Sequence, residues 1–244
     1  MFLKSIELQR DRIPSFDRYP FTIPSIQQLD RLELRSSVTF FVGENGSGKS
    51  TLLEGIADKC EFPAAGGGRN NTYDVHASES ALGDYLRLSW MPKVTNGFFL
   101  RAESFYHFAS HLDQIADDDC MPDIYEAYGG RSLHEQSHGE SFLSLFANRF
   151  GQKGLYLLDE PEAALSPQRQ LAFLRIMHDL VKKKEAQFII ATHSPILMGF
   201  PDASIVSFDD ESLKEVDYDE TDHVQITRYF MQHREDFLRR ILEE

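Results

Sequence analysis

Gly43-Glu44-Asn45-Gly46-Ser47-Gly48-Lys49-Ser50-Thr51 sets three glycines ahead of a lysine and two hydroxyl residues. Such a segment can hold dense negative charge. The glycines remove side chains that would keep backbone N–H groups away from phosphate oxygens, so the loop becomes a nest of donors. Lys49 can reach the outer phosphates of a nucleoside triphosphate, and the Ser50 hydroxyl is placed to ligate Mg2+. The plain alternative is a Gly-rich turn with a solvated lysine, and the flanking segments speak against it.

Two further groups could act on the same ligand. Asp159 and Glu160 end the apolar run Leu155-Tyr156-Leu157-Leu158. Asp159 is suited to hold Mg2+ through its water shell, and Glu160 to orient and deprotonate an attacking water. His193 follows the apolar run Phe188-Ile189-Ile190-Ala191, which would put an imidazole beside the terminal phosphate. Glu160, His193 and Lys49 are therefore the candidate catalytic groups. His76, His107, His111, His134, His178, His223 and His233 read as structural.

The elements that must position these groups are legible from periodicity. Val38, Phe40 and Val42 form a short β-favouring run into the loop, and Ser50 to Ile56 reads as the helix after it, its positive dipole end toward phosphate. Leu155–Leu158 and Phe188–Ala191 have the continuous apolar character of strands buried on both faces of a parallel sheet. Leu171, Leu174, Met177, Leu180 and Val181 mark one face of the helix between them, so the fold class is α/β. In such sheets, ligands bind beyond the carboxyl ends of the strands. Phe2 to Leu8 and Leu32 to Ser36 suggest an antiparallel β flank around Pro14, Pro20 and Pro24. Tyr85 to Trp90 and Phe98 to Arg101 are strand-like; helices follow over Ser104 to Ile115 and about Ser141 to Phe150, with a Gly130 turn between. This predicts a helical arm inserted over about 73–150. The run 63–71 has loop composition, and Phe237, Leu238, Ile241 and Leu242 read as a helix docking on the body.

At 244 residues with 41% hydrophobic content the chain suits a single domain, 1–244. Its formal charge of -14 disfavours a broad electrostatic grip on nucleic acid or an anionic membrane. Cys60 and Cys120 lack metal-binding spacing and read as reduced thiols, and no apolar run is long enough to span a bilayer. A cytoplasmic protein without membrane insertion is expected. The carboxylates at 209–211 and 217–220 read as a solvated hairpin flank rather than a metal nuclease site.

These pieces resemble the ABC-type ATPases, the class of transporter motor domains and of SMC- and RecF-like proteins, over nearly the whole chain. Gly43–Thr51 is similar to the Walker A loop, Leu158-Asp159-Glu160-Pro161 to Walker B with its catalytic glutamate, Ala164-Leu165-Ser166 to the D-loop, and His193 to the switch histidine. Ser137-His138-Gly139-Glu140-Ser141 is similar to the signature motif, with His138 in place of its first glycine. Glu103 stands where the family has the Q-loop glutamine, within a Phe-Leu-Arg-Ala-Glu-Ser-Phe segment at 99–105 that resembles the small freestanding bacterial AAA-family ATPases.

The resemblance implies Mg-dependent ATP binding and hydrolysis, with Ser50, Asp159 and Glu103 as metal-site residues. It also implies an ATP-sandwich homodimer, in which Ser137, Gly139 and Glu140 of one chain meet the γ-phosphate on the other. Tyr19 or Phe21 lies at the distance expected of an adenine-stacking residue, with core packing as the alternative. A freestanding ATPase gating an unidentified protein partner in DNA maintenance or defence is the expected function. The ATP-binding motor subunit of a membrane transporter is the alternative, and the missing Q-loop glutamine counts against it.

Overall fold

The computed structural model describes residues 1–63, 81–102, 105, 110, 113, 138–149, 153–210 and 212–242. In chain order the principal elements are β1 (Leu3–Leu8), α1 (Pro24–Gln27), β2 (Arg31–Glu33), β3 (Val38–Val42), α2 (Lys49–Lys59), β4 (Leu86–Trp90) and β5 (Gly97–Arg101). They continue with α3 (His138–Arg149), β6 (Gly154–Asp159), α4 (Pro167–Lys182), β7 (Ala186–Ala191), α5 (Pro195–Met198), β8 (Ser204–Ser207), β9 (Lys214–Glu215), α6 (Asp222–Gln232) and α7 (Arg234–Leu242).

Six strands form the central sheet in the order β5-β6-β7-β3-β8-β9, parallel except for β9. A second, antiparallel sheet runs β2-β1-β4. The mainly parallel core and the antiparallel flank are those expected. Strands β3, β6 and β7 are buried along their whole length, because both faces of the sheet are covered. Phe40, Tyr156, Leu158, Phe188 and Ile190 turn to the side packed by α3 and α4. Phe41, Leu155, Leu157 and Ile189 turn to the side packed by α2 and the flank. Gln187 ties the two sheets together: its buried amide accepts from the N–H groups of Phe2 and Leu3 and donates to the carbonyl of Leu3.

Three expectations change. The buried face of α4 is Gln170, Phe173, Met177 and Leu180, whereas Leu171 is 59% exposed. Gln170 took the inward position because its amide is satisfied there, donating to the Leu165 carbonyl and accepting from Ser194 Oγ. Within the arm expected over about 73–150, β4 belongs instead to the flank and β5 to the central sheet, where it pairs with β6. Of the arm's predicted first helix, Phe105, Ser110 and Asp113 are described and helical, and the second is α3, starting at His138. The Gly130 turn lies outside the described residues. Finally, α7 does not dock on the body: none of its residues is buried, and Phe237 packs on Tyr229 and Phe230 of α6. No described helix is long and apolar enough to cross a membrane.

Candidate functional site

The carboxyl ends of β3, β6 and β7 lie side by side in the sheet, so the three motifs meet at one edge. The loop 43–48 joins β3 to α2. Gly46 and Gly48 take φ of 82° and 104°, and a Cβ on Gly48 would lie 2.7 Å from Ser25 Oγ. Ser25, on the short helix α1, donates its hydroxyl to the Ser47 carbonyl at 2.5 Å and braces the loop from behind. Helix α2 starts at Lys49 without a side-chain cap, leaving first-turn N–H groups free to meet an anion. Lys49, 4% exposed, donates to the carbonyls of Gly43 at 2.6 Å and Glu44 at 2.8 Å. Burial pushes its ammonium below the ordinary lysine value, against the pull of Glu160, Asp209, Asp159 and Glu44.

Ser50 Oγ donates to Asp159 Oδ1 at 2.9 Å, joining the loop to the end of β6. The second carboxylate oxygen accepts from Arg101 Nε at 3.0 Å, and Arg101 also pairs with Glu54 of α2. Burial raises the Asp159 carboxyl above the ordinary value, although Arg101 and Ser50 pull it down. A hydroxyl and a carboxylate this close are the hard oxygen donors that Mg2+ takes. Among the described residues no three His, Cys, Asp or Glu side chains form a cage, and Mg2+ shared with phosphate oxygens and water needs none. Glu103 and Ser137 lie outside the described residues.

Glu160 sits in the left-handed region at φ 49°, ψ 51°, a conformation that costs a non-glycine residue about 1 kcal/mol or more. That turn aims its half-exposed carboxylate at the imidazole of His193, with Oε1 3.8 Å from Nε2. His193 is held by its backbone N–H, which donates to Glu162 Oε1 at 2.6 Å, and by its Nδ1, 2.7 Å from His223 Nε2. Burial, then the positive charge of Lys49, holds the imidazole below the ordinary histidine value. Glu162 is half-buried, and the desolvation of its carboxyl raises it above the ordinary value.

The described part of the predicted signature lies at the start of α3. Gly139 is buried against Arg169 of α4, and Glu140 pairs with Arg169 at 3.2 Å. Ser166, the last residue of the predicted D-loop, caps α4, so these two segments adjoin. Of the two aromatic candidates, Phe21 is 5% exposed and packs edge-on against Phe16 and Tyr85, as core. Tyr19 is 58% exposed, its hydroxyl 3.4 Å from Thr51 Oγ1.

Sequence reading missed Arg101, Glu162, Asp209 and His223. Arg101 faces Asp159 because β5 and β6 pair them directly, a register that strand-end alignment could have suggested. Asp209 was assigned to a solvated flank. It follows β8, whose pairing with β3 brings its carboxylate to the Glu44 N–H at 2.6 Å. Asp210 is exposed like Asp209 but pairs with Lys214, as a flank residue should.

Residues 125–199 match the family described as "AAA domain, putative AbiEii toxin, Type IV TA system", and residues 22–77 match one described as "AAA domain". The chain is 35% identical over 86 residues to protein ea59 of Escherichia phage lambda, covering 34% of this chain and 16% of that protein. It is 31% identical over 164 residues to the cobalamin import ATP-binding protein BtuD of Halobacterium salinarum, covering 62% of this chain and 41% of BtuD. The matches thus span less than half the length of either relative. A nucleotide-free ATP-binding cassette from an ABC transporter superposes with a TM-score of 0.51 at 16% identity, over 88% of this chain and 91% of that one, a likeness of fold. The chain thus has the fold of an ATP-binding cassette, and two of its segments are similar to AAA domains, one of them containing the phosphate loop.

Proposed function

We propose that the chain binds ATP with Mg2+ in the loop 43–51 and hydrolyses it as one half of a homodimer that closes on nucleotide. One observation carries the reading. Lys49, Ser50, Asp159, Glu160 and His193 come from three separated segments and converge on one sheet edge, joined by the 2.9 Å Ser50–Asp159 bond and the 3.8 Å Glu160–His193 approach. When bound there, Mg2+ would be held by Ser50 and Asp159 and would neutralise phosphate charge. Glu160 takes a proton from water, and His193 and Lys49 meet the terminal phosphate. Exposed Tyr19 offers its ring to the base.

The second half of the site would come from another copy of the chain, through Ser137, Gly139 and Glu140. A buried glycine at the start of the twelve-residue helix α3, next to the capped start of α4, is the kind of backbone corner that can donate to an anion. Glu160→Gln should keep ATP binding, stall turnover and accumulate dimer under Mg-ATP in light scattering. A variant that binds ATP tightly and stays monomeric refutes the sandwich.

The cycle serves to gate a protein partner in the cytoplasm, in defence or DNA maintenance. The toxin–antitoxin wording of the matched family and the phage relative support that side. BtuD supports the second reading, a motor subunit for a membrane transporter. Pull-down with Glu160→Gln separates them, since an integral membrane protein would be recovered only under the second.

A further inference from the structure

His193 does not stand alone at the end of β7. Its Nδ1 lies 2.7 Å from Nε2 of His223, with ring centroids 4.8 Å apart and planes inclined by 53°. At that distance two neutral imidazoles share one proton: one nitrogen donates and the other accepts. The far side of His193 decides which. Its Nε2 is buried, has no hydrogen-bond partner among the described residues, and lies 3.8 Å from the carboxylate of Glu160. A bare lone pair there would face a carboxylate and the phosphate end of the loop, and both would repel it. An N–H there is attracted by both. His193 therefore carries its proton on Nε2, and Nδ1 accepts from His223.

We propose that His223 is a positioning residue for the proposed reaction: by donating from Nε2 to His193 Nδ1 it fixes the ring and tautomer that present an N–H to the terminal phosphate. The donor is anchored where it can do this. His223 lies in the first turn of α6, next to Val224, which is 3% exposed in the main core. Thr221 Oγ1, ahead of that turn, donates to the Tyr218 carbonyl at 2.9 Å. The Tyr218 hydroxyl in turn donates to the carbonyl of Pro195, two residues beyond His193, at 3.1 Å. The start of α6 is thus bound back onto the segment that carries the imidazole. Any partner that moves α6 would turn the proton donor away from the nucleotide without touching the nucleotide itself.

This inference rests on the reading of His193 as a group that meets ATP, and the test keeps the two apart. Histidine 15N NMR of the full chain reports the tautomer without any need for turnover. The expected wild-type spectrum has His193 protonated on Nε2, and His223→Phe, which keeps a ring but no donor, gives mixed tautomers. In steady-state hydrolysis His223→Phe lowers kcat about tenfold while KM for ATP stays within about twofold. His223→Gln, which keeps an N–H donor, restores most of the rate. In a His193→Ala background the change at His223 has no further effect on kcat. A wild-type His193 protonated on Nδ1, or full turnover by His223→Phe beside an impaired His193→Ala, overturns the proposal. If His193→Ala hydrolyses ATP normally, the role of His193 itself is wrong and the inferred catalytic positioning falls with it, whatever tautomer the spectrum shows.

Discussion

Along the loop 43–51 the groups that would meet phosphate are, Lys49 apart, main-chain N–H groups, whereas at the ends of β6 and β7 they are side chains held by other side chains. The loop depends on conformation: Gly48 is enclosed by Ser25 and Ile23, while Glu44, Asn45 and Gly46 are exposed. The strand ends depend on partners drawn from distant parts of the chain. Asp159 is held by Ser50 and Arg101, and His193 by Glu162 and His223. A backbone cradle tolerates changes of side chain that a network of side chains does not. The two halves should therefore fail differently when altered.

The largest effect is expected in the loop itself. Lys49→Ala removes a buried cation facing the outer phosphates, and Gly48→Ala forces a side chain into a 2.7 Å contact at positive φ. Each should weaken nucleotide binding by about 100-fold or more, measured by titration with a fluorescent ATP analogue. Asn45→Ala should cost less than about fivefold, since the loop uses its backbone there. A large loss at Asn45 would break the contrast.

Next comes the strand-end half. Glu160→Gln should leave the ATP dissociation constant within about threefold and lower kcat by about 100-fold, because only the proton acceptor is lost. Arg101→Met should act mainly on stability. It leaves the carboxylates of Asp159 and Glu54 without their shared cation, at a cost of about 2 kcal/mol in urea unfolding. If Arg101→Met unfolds like the wild type, the network at this edge is weaker than its geometry implies.

The two halves also differed in how plainly the sequence announced them. A phosphate loop is local: nine consecutive residues specify both its conformation and its chemistry, and Gly43–Thr51 could be read without knowing the fold. The chemistry of Asp159, Glu160 and His193 was legible because each ends an apolar strand, and parallel strands bring their ends together. Their partners were not, because pairing Arg101 with Asp159 or Asp209 with the Glu44 N–H needs the strand order β5-β6-β7-β3-β8. His223 is the clearest case, sitting thirty residues from His193 on a helix whose docking no local pattern announces. The inward turn of Gln170 on α4 escaped for a related reason, since hydropathy ranks Leu171 above an amide whose burial depends on two particular partners. The exposed helix α7 shows the converse, where an amphipathic pattern predicts a packed face that the body does not cover.

The smallest expected effect tests whether the side-chain half is coupled through its protons. His193 is held below the ordinary histidine value of 6.5, chiefly by burial, so between that lowered value and 6.5 the unfolded chain binds more proton than the folded one. Stability therefore rises with pH across that window, and its benefit is lost as pH falls through the folded value. Glu162, whose carboxyl burial raises above 4.5, works in the opposite sense: the folded chain binds more proton there, so stability falls as pH rises from 4.5 through the raised value. Urea unfolding at several pH values should show the two slopes opposing one another in the wild type. His193→Gln should remove the rise below 6.5 and expose the fall due to Glu162, and Glu162→Gln should do the reverse. A pH profile unchanged by either substitution would mean that the hydrogen bond between the Glu162 carboxylate and the His193 N–H holds the loop without coupling to its charge.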